Sequence, residues 1–178
     1  MNNGLISKRY AKALLEFATA HGEDKSVYES MKTLSESIAA TPRLRETLQS
    51  PVVPVGDKEA LLCSVVGAGA GECYRRFVRL TLENRREGLL QNIALGYLAL
   101  YRRVHRIGRI SIVSATPLSD SLIGRIRYGV ERRTRGTVEL DLRVDASLGG
   151  GFIFQMDDFR VDTSVAGQLE KVRKQLAM

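Results

Sequence analysis

Two histidines and two cysteines are all that a chain of 178 residues offers for imidazole or thiol chemistry. General-base and nucleophilic catalysis need titratable groups brought together, and these four residues are not spaced for it. His21 follows the first expected helix and His105 ends the sixth. A cationic ring at a helix C-terminus stabilises the negative end of the dipole, and that is the role expected of both. Cys63 and Cys73 stand among apolar or small residues, with no second pair or adjacent histidine to complete a metal site, so they read as small buried hydrophobes. A disulfide would not suit the reducing compartment expected for the chain. Gly149-Gly150-Gly151 is the one run that could cradle a phosphate. Phosphate loops of that kind lead into a helix whose amides face the anion; here a strand pattern follows, so the run reads as a turn or bulge. Asp157, Asp158 and Asp162 lack the alternating ligands, central glycine and closing glutamate of a calcium loop. The expectation is a protein with no catalytic residue, no metal and no cofactor, one that works by binding other proteins.

Bulk properties agree with a folded, water-exposed chain. Apolar residues make up 44% and charged residues 26%, enough for a real core and too interspersed for disorder. No stretch approaches the roughly 20 uninterrupted apolar residues of a membrane span. The opening Met-Asn-Asn-Gly-Leu-Ile-Ser-Lys has neither the apolar run of a secretory signal nor an acid-poor leader, and a cytoplasmic location is expected. The net charge of +7 is spread, with 15 basic against 11 acidic residues up to His105 and 12 against 9 after it. With aromatics at 6% and no tryptophan, the dense basic patch and stacking groups of a nucleic-acid binder are missing. Arg125, Arg127, Arg132, Arg133 and Arg135 lie on or just after one helix, but their angular spread reads as a solvated face.

The elements that must position any binding surface fall into two groups. Through residue 105 the periodicity is helical, with breaks at short punctuation. Gly4 to Ala20 forms one helix, Glu23 to Ala39 a second, and Pro42 opens a short third; Asp57 is expected to cap a fourth that ends at the Gly67-Ala68-Gly69-Ala70-Gly71 run. Glu72 to Arg85 and Leu89 to His105 make the fifth and sixth. Near Gly108 the period changes to 2. Ile110 to Ala115 reads as a strand, and Ser119 or Asp120 caps a helix with Leu122, Ile123, Ile126 and Val130 inward. Val138, Leu140, Leu142 and Val144 line a half-buried strand. Phe152 to Met156 and Phe159 to Val161 form a hairpin across Asp157-Asp158, and a final helix carries the stripe Val165, Leu169, Val172 and Leu176. The expected class is α+β: a six-helix bundle over 1–105 and a small mixed α/β domain over 106–178.

The first helix carries more apolar surface than a bundle's edge requires. At about 100° per residue Ile6, Tyr10, Ala13, Leu14 and Phe17 share one face, while Ala11, Leu15 and Ala18 form a second strip beside it. A strip with two alanines either packs a neighbouring helix of the same bundle or admits a partner's helix closely. On the fifth helix Val78 and Leu82 flank a face centred on Phe77.

Four segments, in order and at matching separations, carry a family resemblance. They are Arg9-Tyr10-Ala11-Lys12-Ala13-Leu14, Leu82-Glu83-Asn84-Arg85-Arg86, Ser114-Ala115-Thr116-Pro117-Leu118, and Gly150-Gly151-Phe152-Ile153 leading to Val161-Asp162-Thr163-Ser164-Val165-Ala166-Gly167-Gln168-Leu169. Together they resemble the delta subunits of bacterial rotary ATP synthase and their mitochondrial counterparts, the oligomycin-sensitivity-conferring proteins. The resemblance implies a non-catalytic peripheral-stalk connector that links the alpha/beta head to the b-subunit stalk and resists rotor torque. It implies that the N-terminal helix of an alpha subunit lies between the first and fifth helices, with Tyr10, Ala11, Leu14, Leu15, Ala18, Val78, Leu82 and Arg85 as candidate contacts. It implies that the C-terminal domain grips the C-terminal region of the b subunit, at the cytoplasmic face of a bacterial inner membrane. Asp162, Ser164 and Gly167 match the closing motif as structural residues, with Ser164 as N-cap. Family members often carry glycine at the positions of Asp157 and Thr163. The rival reading, resting on the +7 charge and the rear arginines, is an RNA- or ribosome-associated adaptor.

Overall fold

The computed structural model describes residues 3–134, 136–156 and 159–176; Arg135 and the Asp157-Asp158 turn lie outside the described residues, as do the side chains of Asn3, Ala68, Arg133, Thr134 and Leu176. The chain divides into two compact units, Met1–Arg103 and Val104–Met178.

The front unit holds α1 (Asn3–Ala20), α2 (Asp24–Ala40), α3 (Pro42–Gln49), α4 (Val55–Val66), α5 (Glu72–Glu83) and α6 (Leu90–His105). The stripe of α2 that the spacing marks as apolar is buried throughout, with Val27, Met31 and Leu34 fully so. Pro42 begins α3, where its missing N–H costs nothing. α4 starts two residues earlier than its expected cap: Pro54 occupies the N-cap position and Asp57 sits inside the first turn. There its carboxylate still faces the positive end of the dipole, so the acid's preference is met from N3 instead of from the cap. Polar groups inside the bundle find partners. Tyr97 donates to the Asp24 carbonyl at 3.0 Å and Tyr74 to the Leu62 carbonyl at 3.1 Å. Burial pushes both phenols above their ordinary range, so they stay neutral donors. Glu23 accepts from the Cys73 amide at 3.0 Å and so caps α5 from outside it. Lys58, 4% exposed, pairs with Glu87 at 3.0 Å. Both cysteines are free, Cys73 buried and Cys63 half-buried.

The rear unit holds β1 (Gly108–Ser114), α7 (Asp120–Thr134), β2 (Val138–Val144), β3 (Phe152–Met156), β4 (Phe159–Asp162) and α8 (Val165–Leu176). The sheet runs β2-β1-β3-β4. β1 and β2 are parallel, joined through α7, with Ile110 opposite Leu140; β3 and β4 add antiparallel strands. Ile110, Ile112 and Val138 form the core, against which Ile126 and Val130 of α7 and Phe154 and Met156 of β3 pack. β2 departs from the expected half-buried strand beyond Leu140: Leu142 and Val144 are 42% and 58% exposed. β2 is an edge strand, paired on one side only, by β1.

The closing motif is a set of close approaches. Gly151 has φ +74°, and a Cβ there would collide with the Thr163 carbonyl. The Ser164 hydroxyl donates to Asp162 at 2.6 Å and accepts from the Gly167 amide at 3.1 Å, which makes Ser164 the N-cap of α8. A Cβ at Gly167 would come within 3.0 Å of the Asp162 carboxylate. Thr163, where family members often have glycine, needs no positive φ; it bonds the Phe152 carbonyl through both its amide, at 3.0 Å, and its hydroxyl, at 2.7 Å. Gly149-Gly150-Gly151 is therefore a tight turn folded against the start of α8, whose Val165 amide bonds the Gly150 carbonyl at 3.0 Å.

Ser164→Ala should cost about 1 kcal/mol in urea denaturation. The Ser164 hydroxyl, then its amide, hold the Asp162 carboxyl below the usual range. Since the folded value is the lower one, the cap's contribution is present above the unfolded value and is lost as pH falls through the folded one. The gap between wild type and Asp162→Asn should therefore shrink as pH is lowered below the ordinary carboxylate range.

Candidate partner-binding surfaces

α1 carries apolar residues around more than half its circumference, and the bundle uses only part of them. Ser7, Ala11, Leu14, Leu15 and Ala18 are buried. α6 approaches this side so closely that a methyl added at Gly96 would stand 3.3 Å from the Ala11 Cβ. Large side chains cannot enter that contact, so Tyr10 and Phe17 are left beside it, half-buried.

They form one wall of an open apolar cleft of about 500 Å³ between α1 and α5. Tyr10, Ala13, Leu14 and Phe17 come from α1, Phe77 and Leu80 from α5, with Arg9 and Arg76 at the edges. Leu80 is 50% exposed. Arg76 is paired with Glu72 at 2.8 Å, a contact open to solvent on both sides.

The structure thus redistributes the eight candidate contacts. Tyr10 and Leu14 line the cleft. Ala11, Leu15, Ala18, Val78 and Leu82 are core residues, none more than 8% exposed, and do not line the cleft. Arg85 is exposed just past the end of α5, in the left-handed region at φ +52°, and does not line the cleft. Ala13, Phe17, Phe77 and Leu80, none of them among the eight, supply the rest of the apolar lining. Pairing the small Ala11 with Gly96 would have found the packed side of α1, because only small residues allow that close an approach.

The rear unit has its own unpartnered apolar surface. Along α8, Val165, Leu169 and Val172 are 45%, 64% and 50% exposed. Lys171, Arg173 and Lys174 lie on the same helix, Lys174 paired with Glu170 at 2.8 Å.

The residues considered for chemistry do other work. His21 Nδ1 lies 2.8 Å from the Phe17 carbonyl at the end of α1. Burial first, then the hydrogen bond to Glu23, push the Cys73 thiol up to about 11, and burial raises Cys63 as well, so neither is an activated nucleophile. Asp162 is occupied as part of the α8 cap. Among the described residues no helix is long and apolar enough to cross a membrane.

A bundle with an open apolar cleft, followed by a small sheet unit with an uncovered apolar helix, is the architecture of a non-catalytic protein that connects other proteins. The model of the ATP synthase delta (OSCP) subunit family matches residues 6–176, and the chain belongs to that family. Similar proteins include the ATP synthase subunit delta of Bacteroides thetaiotaomicron, 44% identical over 98% of this chain and 95% of the relative. That of Phocaeicola vulgatus is 42% identical over 97% and 94%. A chain in the cryo-EM structure of the Toxoplasma gondii mitochondrial ATP synthase hexamer shares the fold, with a TM-score of 0.72 at 20% identity over 97% of both chains. Members of this family are non-catalytic parts of the ATP synthase.

Leu80→Ala should change unfolding stability by less than about 0.5 kcal/mol, whereas Leu82→Ala, two residues on but in the core, should cost about 2–5 kcal/mol. Arg85→Gly should gain about 1 kcal/mol, since glycine takes the left-handed C-terminal position of α5 without strain; thermal melting of the single variants checks all three.

Proposed function

We propose that this protein is the peripheral-stalk connector of a proton-translocating ATP synthase, fastening the alpha/beta catalytic head to the b-subunit stalk so that the head does not turn with the rotor. The front unit takes the N-terminal helix of one alpha subunit in the cleft between α1 and α5. The rear unit holds the C-terminal region of the b subunit, with one copy of the chain per complex, peripheral to the cytoplasmic face of the bacterial inner membrane.

The cleft is the observation that carries this reading. Its lining of Tyr10, Ala13, Leu14, Phe17, Phe77 and Leu80 is apolar and runs about two turns along α1, with Arg9 and Arg76 as its cationic members. An amphipathic helix with anchors at i, i+3 or i+4, and i+7 fits such a surface. Each aliphatic anchor fully removed from water contributes about 1.5–3 kcal/mol before the cost of ordering the segment is subtracted. The uncovered stripe of α8 supports a second contact on the rear unit in the same way. Torque transmission asks for a contact that does not let go, and it asks for no proton transfer or bond cleavage.

Calorimetry with the full chain and a synthetic peptide of the alpha N-terminus tests the cleft. Ala13→Glu and Leu80→Glu, both at exposed positions, should each weaken binding by about tenfold or more, while Leu169→Glu on α8 should leave the peptide's affinity unchanged and weaken binding of the stalk's C-terminal region. Unchanged peptide affinity in both cleft variants would remove the assignment.

A further inference from the structure

The last turn of α1 closes with two backbone bonds that fix the residue after it. The Glu23 amide donates to the Ala18 carbonyl at 2.9 Å, and the amide of Gly22, at φ +69°, donates to the Thr19 carbonyl at 3.2 Å. This is a glycine-closed helix end, and it places His21 at the C-cap. The Glu23 carboxylate then accepts from the Cys73 amide at 3.0 Å, which ties the end of α1 to the start of α5. The His21 backbone is therefore held on both sides.

Its imidazole is held as well. Nδ1 lies 2.8 Å from the Phe17 carbonyl. A carbonyl oxygen only accepts, so Nδ1 carries the hydrogen. The same ring stands against the Phe17 ring, with centroids 4.3 Å apart and planes tilted by 45°. Phe17 is the cleft-lining residue nearest the C-terminus of α1, and His21 follows it one turn on, along the same side. A phenylalanine in a helix has two accessible χ1 wells, about 120° apart, and only one of them keeps its ring against His21 at this distance.

α5 shows what the cap bond needs. Its C-cap residue Asn84 donates through Nδ2 to the Leu80 carbonyl at 2.7 Å, the same bond to the fourth residue back. A side-chain amide suffices there. The cap alone therefore gives no reason for an imidazole at position 21, and what the imidazole adds is a flat face for Phe17.

We propose that His21 is a positioning residue for the cleft: it holds the Phe17 ring as a fixed wall for the partner's helix, which on the reading above, and resting on it, is the N-terminal helix of an alpha subunit. Phe17 is half-buried in an open cleft, so without His21 its ring is free to leave the lining before the partner arrives. A wall already in place does not have to be ordered on binding, and the affinity is higher by the ordering cost avoided. His21 acts through Phe17 and need not touch the partner.

The test is calorimetry of the full chain with the synthetic alpha peptide, read beside the fluorine NMR resonance of para-fluorophenylalanine at position 17. His21→Asn keeps the cap bond and removes the ring. It should melt within about 2 °C of wild type, shift the fluorine resonance of the free protein, and bind the peptide about threefold to tenfold more weakly. His21→Phe removes the cap bond and keeps a ring, and should melt lower yet bind within about twofold of wild type. A purely structural role gives the opposite order, with affinity following Tm. A His21→Asn variant that binds like wild type, or a His21→Phe variant that binds as weakly as His21→Asn, overturns the proposal and leaves the cleft reading intact. A peptide that binds wild type without moving the position-17 resonance removes the cleft reading and the proposal together.

Discussion

The close contact between α1 and α6 decides which side of α1 is left open. Ala11 and Gly96 set a helix spacing that admits no large side chain between them, so α1 is fixed with its small residues inward. Its aromatic residues then have nowhere to go but the side facing α5. The cleft is thus the complement of a packing solution: where α1 meets α6 the contact is made by Ala11 and Gly96, and Tyr10 and Phe17 of α1 stay half-buried beside it. Replacing Gly96 with a larger residue would disturb the cleft without touching it, since α1 could no longer sit at the same distance.

The rear unit uses the same logic through a different device. The turn at Gly149-Gly150-Gly151 and the cap at Asp162-Ser164-Gly167 tie the start of α8 to β3 through backbone contacts too close for side chains. They define where α8 begins and in what direction it leaves the sheet. The helix then presents Val165, Leu169 and Val172 outward. Glycines that looked capable of holding a phosphate hold the protein's own carbonyls and amides instead.

The order and type of the elements were legible because their signals are local: a stripe of period 3.6 in α2, alternation in β1, glycine runs at the ends, a serine before the last helix. Where one helix has two apolar strips, the local signal fails. Both strips of α1 have the right period, and the choice between them rests on Gly96, which is distant in sequence. The same holds for α5, whose buried side spans Phe77, Val78, Thr81 and Leu82 while Leu80 stands at the cleft's edge. The pairing of Lys58 with Glu87 and the capping of α5 by Glu23 are also non-local, joining residues that no motif connects. The edge position of β2 is a matter of strand order, a property of the assembled sheet that alternation within one strand does not encode.

A connector that bears torque must bind tightly and yet be assembled in one register, and these demands favour different interactions. On the proposed reading, burying a partner's apolar side chains in the α1/α5 cleft lowers the rate of dissociation but says little about direction, because an aliphatic stripe can slide by a turn. Charges at the edges, such as Arg9 and Arg76, act over longer distances and penalise a wrong register by leaving a carboxylate unmatched. They are also screened by salt and exposed, so they contribute little holding strength by themselves. On that reading an apolar floor with sparse cationic edges divides the work: the floor sets how long the partner stays and the edges set where it lies. A protein organised in this way has no use for activated nucleophiles or shifted bases at its surfaces, and its cysteines are kept protonated by burial.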